Sequence, residues 1–377
     1  MPMTYHRIHP KFRFNGLAFN KEELKEVAYS LVKEGYPYEQ QIGDFLMDWL
    51  NVKDHIAIRT SGSTGEPKTV LIQKEKMVNS ALATADFFGL QPGDSALLCL
   101  PAEFVAGKMM LVRALVIGLH LDCIEPSSSP LAGIRKKYDF CGMVPLQVQN
   151  SLNDLEWIKI MIIGGAPLPA PLKEQLLDKT MHVYETYGMT ETLSHVAVKR
   201  VNPAPGAIDP VGPYEAGEET KSEKDCFRAL RNISFSKDQR WCLIITAPEI
   251  CDAPVVTNDL INLISDTAFE WLGRIDNVIN SGGVKLIPEQ IEVKIAPYLS
   301  ERFLVAGLPD RPLGQKLILI IEGGEEDKIS LHKIASIPGI GKYQIPKEIH
   351  YLKHFVETKN GKIQRDTTIQ KILTKPA

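Results

Sequence analysis

Cysteine is scarce, with six in 377 residues, at positions 99, 123, 141, 226, 242 and 251. None stands at CxxC spacing or in a Cys/His cluster of metal-ligand spacing, which excludes a zinc module and a disulfide scaffold. Reduced thiols in a cytoplasmic protein are expected instead. An excess of one charge is missing too. Lys and Arg number 43 against 46 Asp and Glu, a net charge of -3, and without a strong positive field no nucleic acid is expected as a partner. The longest apolar stretch, residues 109–121, is interrupted by Arg113 and falls short of the roughly 20 residues that cross a bilayer. It predicts a buried helix, with no membrane insertion. Residues 1–16 lack the apolar core of an export signal, so no export is expected. Repeats and low-complexity tracts are absent. What remains is 44% hydrophobic and 24% charged, the composition of a soluble globular protein with small-molecule chemistry. At roughly 150 residues per domain the length predicts two or three domains.

Apolar residues recur at spacings of three and four from Lys21 to Leu50, at Leu24, Val27 and Leu31, then Ile42, Phe45, Leu46 and Leu50. That predicts two helices. Strands are expected at 56–59 and 69–73, and a helix at 76–88. Strand-like runs at 95–100, 158–163 and 182–184 then alternate with helical patterns, which argues an α/β architecture. Residues 203–225 carry Pro, Gly and a Glu/Lys run and predict an exposed loop. A β-rich stretch follows at 241–246, 260–264 and 268–272. The boundary between a large unit, 1–275, and a small one, 276–377, is expected at Asp276.

The loop between the first two strands collects Ser61, Gly62, Ser63, Thr64, Gly65 and Lys68. Its glycines allow close backbone approach, and its hydroxyls and lysine offer donors to a polyphosphate. It is not a Walker loop, because Glu66 and Pro67 separate Gly65 from Lys68 and a second strand, not a helix, follows. A plain hairpin tip is the alternative reading.

The stretch Thr60-Ser61-Gly62-Ser63-Thr64-Gly65-Glu66-Pro67-Lys68 resembles the phosphate loop of the acyl-adenylate-forming superfamily, which includes acyl-CoA synthetases and firefly luciferase. Six further motifs match in the same order: Gly164-Gly165-Ala166, Tyr187-Gly188-Met189-Thr190-Glu191, Thr257-Asn258-Asp259, Gly273-Arg274-Ile275-Asp276, Ser281-Gly282-Gly283 and Asn360-Gly361-Lys362-Ile363-Gln364-Arg365. The resemblance runs from about residue 55 to 367. It implies a large N-terminal domain of α/β layers, 1–275, that binds ATP and the acyl substrate. A small mobile α+β lid domain, 276–377, would carry the catalytic lysine. Only 59 residues precede Thr60, fewer than the family usually has, so a shortened first subdomain is expected. An apolar patch left by the trimming would be covered by a homodimer.

Joining a carboxylate to ATP brings two anions together, which fixed positive charge and donors must offset. The resemblance implies that Thr190 bonds the α-phosphate and that Glu191 holds Mg²⁺, a hard cation suited to carboxylate and phosphate oxygens. It places Gly164, Gly165, Ala166, Tyr187 and Gly188 around the nucleotide, and Asp259 and Arg274 at the ribose. A turn Asp paired with an Arg is the plainer reading of that last pair. Asn258 stands where the family usually has Gly, and a left-handed turn is expected to survive there. Lys362 would neutralise phosphate charge during adenylation and withdraw afterwards about a hinge at Asp276. Ser281, Gly282 and Gly283 would line the tunnel for coenzyme A, although glycines serve a turn between strands equally well.

The segment 100–113 looks like the acyl-pocket segment of o-succinylbenzoate-CoA ligases of menaquinone biosynthesis, which keep an Arg at the Arg113 position. Such an acid is a dicarboxylate, so one charge remains after activation and needs a cation. Arg113 and Lys108 are the candidates, against a reading as surface charges whose stems cover apolar area. Phe104 occupies the place where many relatives carry His. The expected activity is therefore an AMP-forming acid-CoA ligase with ATP, Mg²⁺ and coenzyme A. The alternatives are a ligase for another aromatic or carrier-linked acid, and a nucleotide-binding relative without catalysis.

Overall fold

In the computed structural model, which describes residues 8–60, 68–203, 226–324, 329–357 and 363–374, the two expected helices are Lys21–Glu34 and Pro37–Leu50. Asn20 starts the first: its Oδ1 accepts from the N–H of Glu22 and Glu23, and Glu23 accepts from Asn20 N–H in return, a reciprocal cap. Pro37 opens the second, where its missing N–H has no intrahelical partner to lose. Strands His55–Thr60 and Lys68–Gln73 pair antiparallel, and the helix Lys74–Phe88 follows directly.

The alternating pattern beyond it builds one sheet. Strands Arg13–Phe14, His120–Cys123, Ser95–Leu98, Tyr138–Met143, Ile158–Ile163 and His182–Gly188 lie side by side in that order, all parallel. From His182–Gly188 onward the sheet continues antiparallel through His195–Arg200, Phe227–Ala229, Ala268–Arg274, Val255–Ser265, Cys242–Thr246 and Ser234–Lys237. Parallel strands need helices on their faces; Lys74–Phe88 supplies one, packing Phe88 against Phe140 and Tyr184.

A second sheet begins after Arg274. It holds Ile279–Ser281, Val284–Leu286, Phe303–Asp310, Gly314–Glu322 and Glu348–Leu352, with its own core of Ile279, Ile291, Val305, Leu319 and Ile334. Arg365, opening the helix Arg365–Leu373, pairs with Glu292 at 2.5 Å and donates to Val305 O at 2.9 Å. The two sheets meet at a seam beside the strand Ala268–Arg274. Gln290, in the helix Pro288–Ile295, donates to Leu272 O at 2.9 Å. Beside it the buried Glu289, 8% exposed, accepts from Asn277 Nδ2. Its Oε2 has no hydrogen-bond partner among the described residues.

Three expectations change. Residues 109–121 are not one helix: Val105–Arg113 is α-helical, Ala114–Gly118 is a π-turn, and His120–Cys123 is a strand. Gly118, at φ +89°, turns the chain into that strand. Asp259 lies inside the eleven-residue strand Val255–Ser265 and not in a turn. Asn258, beside it, is not among the left-handed residues, because the antiparallel ladder holds it extended. Of the loop expected at 203–225, residues 204–225 lie outside the described residues.

Candidate active site

The parallel strands end on the expected motifs. Ile158–Ile163 runs into Gly164, Gly165 and Ala166, and its neighbour His182–Gly188 ends on Tyr187 and Gly188. Ligands of open α/β sheets bind beyond such carboxyl ends. Thr190 and Glu191 follow in a tight turn, Thr190–Thr192. Thr192, fully buried, accepts from Met189 N–H at 3.0 Å and donates to Ser194 O at 2.9 Å, which fixes the turn. Glu191 is exposed. One exposed carboxylate suits Mg²⁺, which takes one or two protein oxygens and completes its shell with phosphate and water.

Asp259, 7% exposed, is the centre of the adjoining wall. Its Oδ2 accepts from Tyr187 OH at 2.7 Å and its Oδ1 from Trp271 Nε1 at 3.1 Å. The Thr257 hydroxyl accepts from Asp259 N–H at 3.1 Å and donates to Leu243 O. Burial, then the Asp259 charge, pushes the Tyr187 phenol far up, so it stays a donor. An aromatic cluster holds the ring, with Phe269 edge-on at 5.1 Å and Phe227 at 5.6 Å. Both oxygens of an ionised Asp retain a second lone pair, enough for a diol.

Arg274 stands opposite Asp259 in the ladder, yet its guanidinium reaches Asp276 at 2.7 Å. Asn258 Nδ2 donates to the same carboxylate at 3.1 Å and 3.2 Å. The Arg274 bond and then the Asn258 bond hold the Asp276 carboxyl below its usual range. Ser281, Gly282 and Gly283 join Ile279–Ser281 to Val284–Leu286. Gly282 and Gly283 have φ +59° and +83°, the mirror-image turn that glycine accommodates.

Arg113 is buried, 2% exposed. Its Nε donates to Thr84 Oγ1 at 3.2 Å and its Nη2 to Ser194 Oγ at 2.9 Å; His195 Nδ1 lies at 3.4 Å from Nη2. No carboxylate pairs with it among the described residues. Burial lowers its pKa to about 9, so it is charged at neutral pH. Lys108 is not part of this group. It donates to Glu103 O at 3.2 Å and lines a separate cavity of about 450 Å³ with Asp44, Asp48 and Glu103. Phe104 caps the helix Val105–Arg113. Ser61, Gly62, Ser63, Thr64, Gly65 and Lys362, and the side chains of Thr60 and Lys68, lie outside the described residues.

Trp271, Thr84, Ser194 and His195 escaped the sequence reading. The signal for the last two was a hydroxyl and an imidazole three and four residues after Glu191, at the start of an apolar strand. For Thr84 it was a polar residue on a helix face with Ala81 and Phe88.

A model of the AMP-binding enzyme family matches residues 52–221. An acyl-CoA synthetase (AMP-forming)/AMP-acid ligase II-like protein from Dyadobacter fermentans DSM 18053 is 35% identical, over 92% of this chain and 98% of that one, with a TM-score of 0.58. The chain belongs to the AMP-binding enzyme family. A 2-succinylbenzoate--CoA ligase of Geobacillus sp. (strain WCH70) is 26% identical over 336 residues, 81% of this chain. The chain spans about two thirds of that relative's length, 66%. Among solved AMP-binding folds, o-succinylbenzoate CoA synthetase from Bacillus subtilis in complex with its acyl-adenylate intermediate superposes with a TM-score of 0.69 at 19% identity. That alignment covers 96% of this chain and 82% of that one. This AMP-binding enzyme has the mixed α/β fold of its family, and none of its described helices is long and apolar enough to cross a membrane.

Proposed function

We propose that this chain is an ATP-dependent acid-thiol ligase that activates o-succinylbenzoate and transfers the acyl group to coenzyme A, a step of menaquinone biosynthesis. In the first half-reaction a carboxylate oxygen attacks the α-phosphorus of ATP and pyrophosphate leaves. In the second the thiol of coenzyme A attacks the acyl carbon, AMP leaves, and the thiol proton is lost. Thr190 would donate to the α-phosphate, Asp259 would accept from the ribose hydroxyls, and Lys362 would add positive charge during adenylation. Mg²⁺ held by Glu191 would screen the phosphates. The small unit, 276–377, would act as the lid, turning about Asp276 between the two steps.

The observation that carries the choice of acid is Arg113, a buried guanidinium whose partners among the described residues are all neutral. A buried cation without an anion is costly, and the free carboxylate of an activated dicarboxylate would supply one. The relatives of that name support the same acid. Cys99, Cys123, Cys141, Cys242 and Cys251 form no disulfide among the described residues, which suits a reducing cytoplasm. A homodimer would cover the exposed Val52, Val70 and Leu71.

A panel of acids, assayed for pyrophosphate release and for the acyl-CoA product, tests the reaction. Arg113→Leu tests the acid. A lost charge-assisted bond of about 1.5 to 3 kcal/mol raises KM for the dicarboxylate roughly ten- to a hundredfold, with a monocarboxylate analogue little changed. Parallel losses for both acids would return Arg113 to packing and leave another aromatic or carrier-linked acid as the substrate.

A further inference from the structure

We propose that His195 is a positioning residue that sets the acid specificity: as a neutral imidazole protonated on Nε2, it holds Arg113 in place without cancelling its charge. The inference rests on the reading that Arg113 meets the free carboxylate of the acid.

The protons around Arg113 have one consistent arrangement. A guanidinium has only donors, so Nδ1 of His195, facing Nη2 at 3.4 Å, must present its lone pair. Ser194 Oγ accepts from Arg113 at 2.9 Å and can turn its own proton toward the same Nδ1 at 3.4 Å. The ring proton is then on Nε2, which faces Thr84 Oγ1 at 3.4 Å. Thr84 can accept it, because its hydroxyl proton goes to Ser80 O at 3.0 Å. The same oxygen receives Arg113 Nε at 3.2 Å.

Arg113 is therefore gripped by a hydroxyl on the helix Lys74–Phe88, by a hydroxyl and an imidazole at the start of strand His195–Arg200, and by Met110 Sδ at 3.9 Å. All four are neutral. An acidic side chain at position 195 would orient the guanidinium as well but would occupy it with an internal ion pair. An imidazolium would set two donors against each other. Burial, then the neighbouring Arg113 charge, lowers the His195 pKa well below its usual value, in keeping with the neutral ring. Arg113 is the charged group that faces it.

Three variants and one spectrum test this. His195→Asp should raise KM for a dicarboxylate about tenfold or more while changing a monocarboxylate analogue less than about twofold. His195→Asn, which keeps a neutral acceptor, should leave both acids near wild type. Equal changes for the two acids in His195→Asp, or the same selectivity loss in His195→Asn, would overturn the proposal. Imidazole ¹⁵N spectra of the wild-type protein stand independently of how the variants fold. Nε2 protonated and Nδ1 bare from about pH 6 to 8 is expected; an imidazolium, or a proton on Nδ1, in that range overturns the proposal. Arg113→Leu separates the two levels. If it affects both acids alike, the acid-site reading fails; if it is selective and His195→Asp is not, only the role of His195 fails.

Discussion

Arg274 and Asp276, two residues apart at the seam between the sheets, form an ion pair at 2.7 Å. The residue expected at the ribose and the residue expected at the hinge thus restrain each other, with Asn258 as a third member. Both charges are about half exposed, so the pair itself adds no more than about 1 kcal/mol.

Removing that pair should therefore act on kinetics more than on stability. Asp276→Ala is expected to leave the melting temperature nearly unchanged while altering adenylation and thioester formation unequally, and Asp276→Pro, which fixes φ, should do so more strongly. Separate assays of the two half-reactions check this. Equal effects on both would remove Asp276 as the pivot.

Lys362→Ala should slow adenylate formation by two to three decades, since losing one charged transition-state contact costs about 3 to 4 kcal/mol. Thioester formation from supplied acyl-adenylate should change little. Equal losses in both steps would make the lysine structural.

Glu289 gives a pH dependence with a definite sign. Burial raises its pKa, against the opposing Arg365 charge and the Asn277 bond and with the Glu292 charge in support. The folded state therefore keeps the proton longer than the unfolded chain. Its contribution is full below the ordinary carboxylate value of about 4.3 and is lost as pH rises through the raised folded value. Glu289→Gln cannot ionise and escapes this loss. Melting curves from about pH 4 to 8 should show the variant gaining on wild type as pH rises. A constant difference, or the reverse trend, would count against a buried titrating Glu289.

The helices at 21–50, the first hairpin and the parallel strands were legible because each rests on a local pattern: a period of three to four for Leu24, Val27 and Leu31, an apolar run broken only at Lys159 for Ile158–Ile163. Periodicity failed where a glycine acts, since a run of apolar residues is equally helix or strand until Gly118 turns it. The motif residues could be named without coordinates, but their partners could not. Asp259 meets Tyr187 across 72 positions and Arg113 meets Ser194 across 81, distances at which spacing along the chain carries no information. Lys108 and Arg113, five residues apart on one helix, looked interchangeable, and only packing sends one to an open cavity and the other into the core.

At Gly273 a β-carbon would stand 2.5 Å from Glu289 Oε2 and 2.6 Å from Ile287 Cγ2, closer than atoms can approach. The small sheet leans on the large one through the space where that methyl group is missing. Side chains of graded volume at this one position would work as shims of increasing thickness, prising the two parts of the enzyme apart by steps while leaving Asp259 and Arg113 untouched.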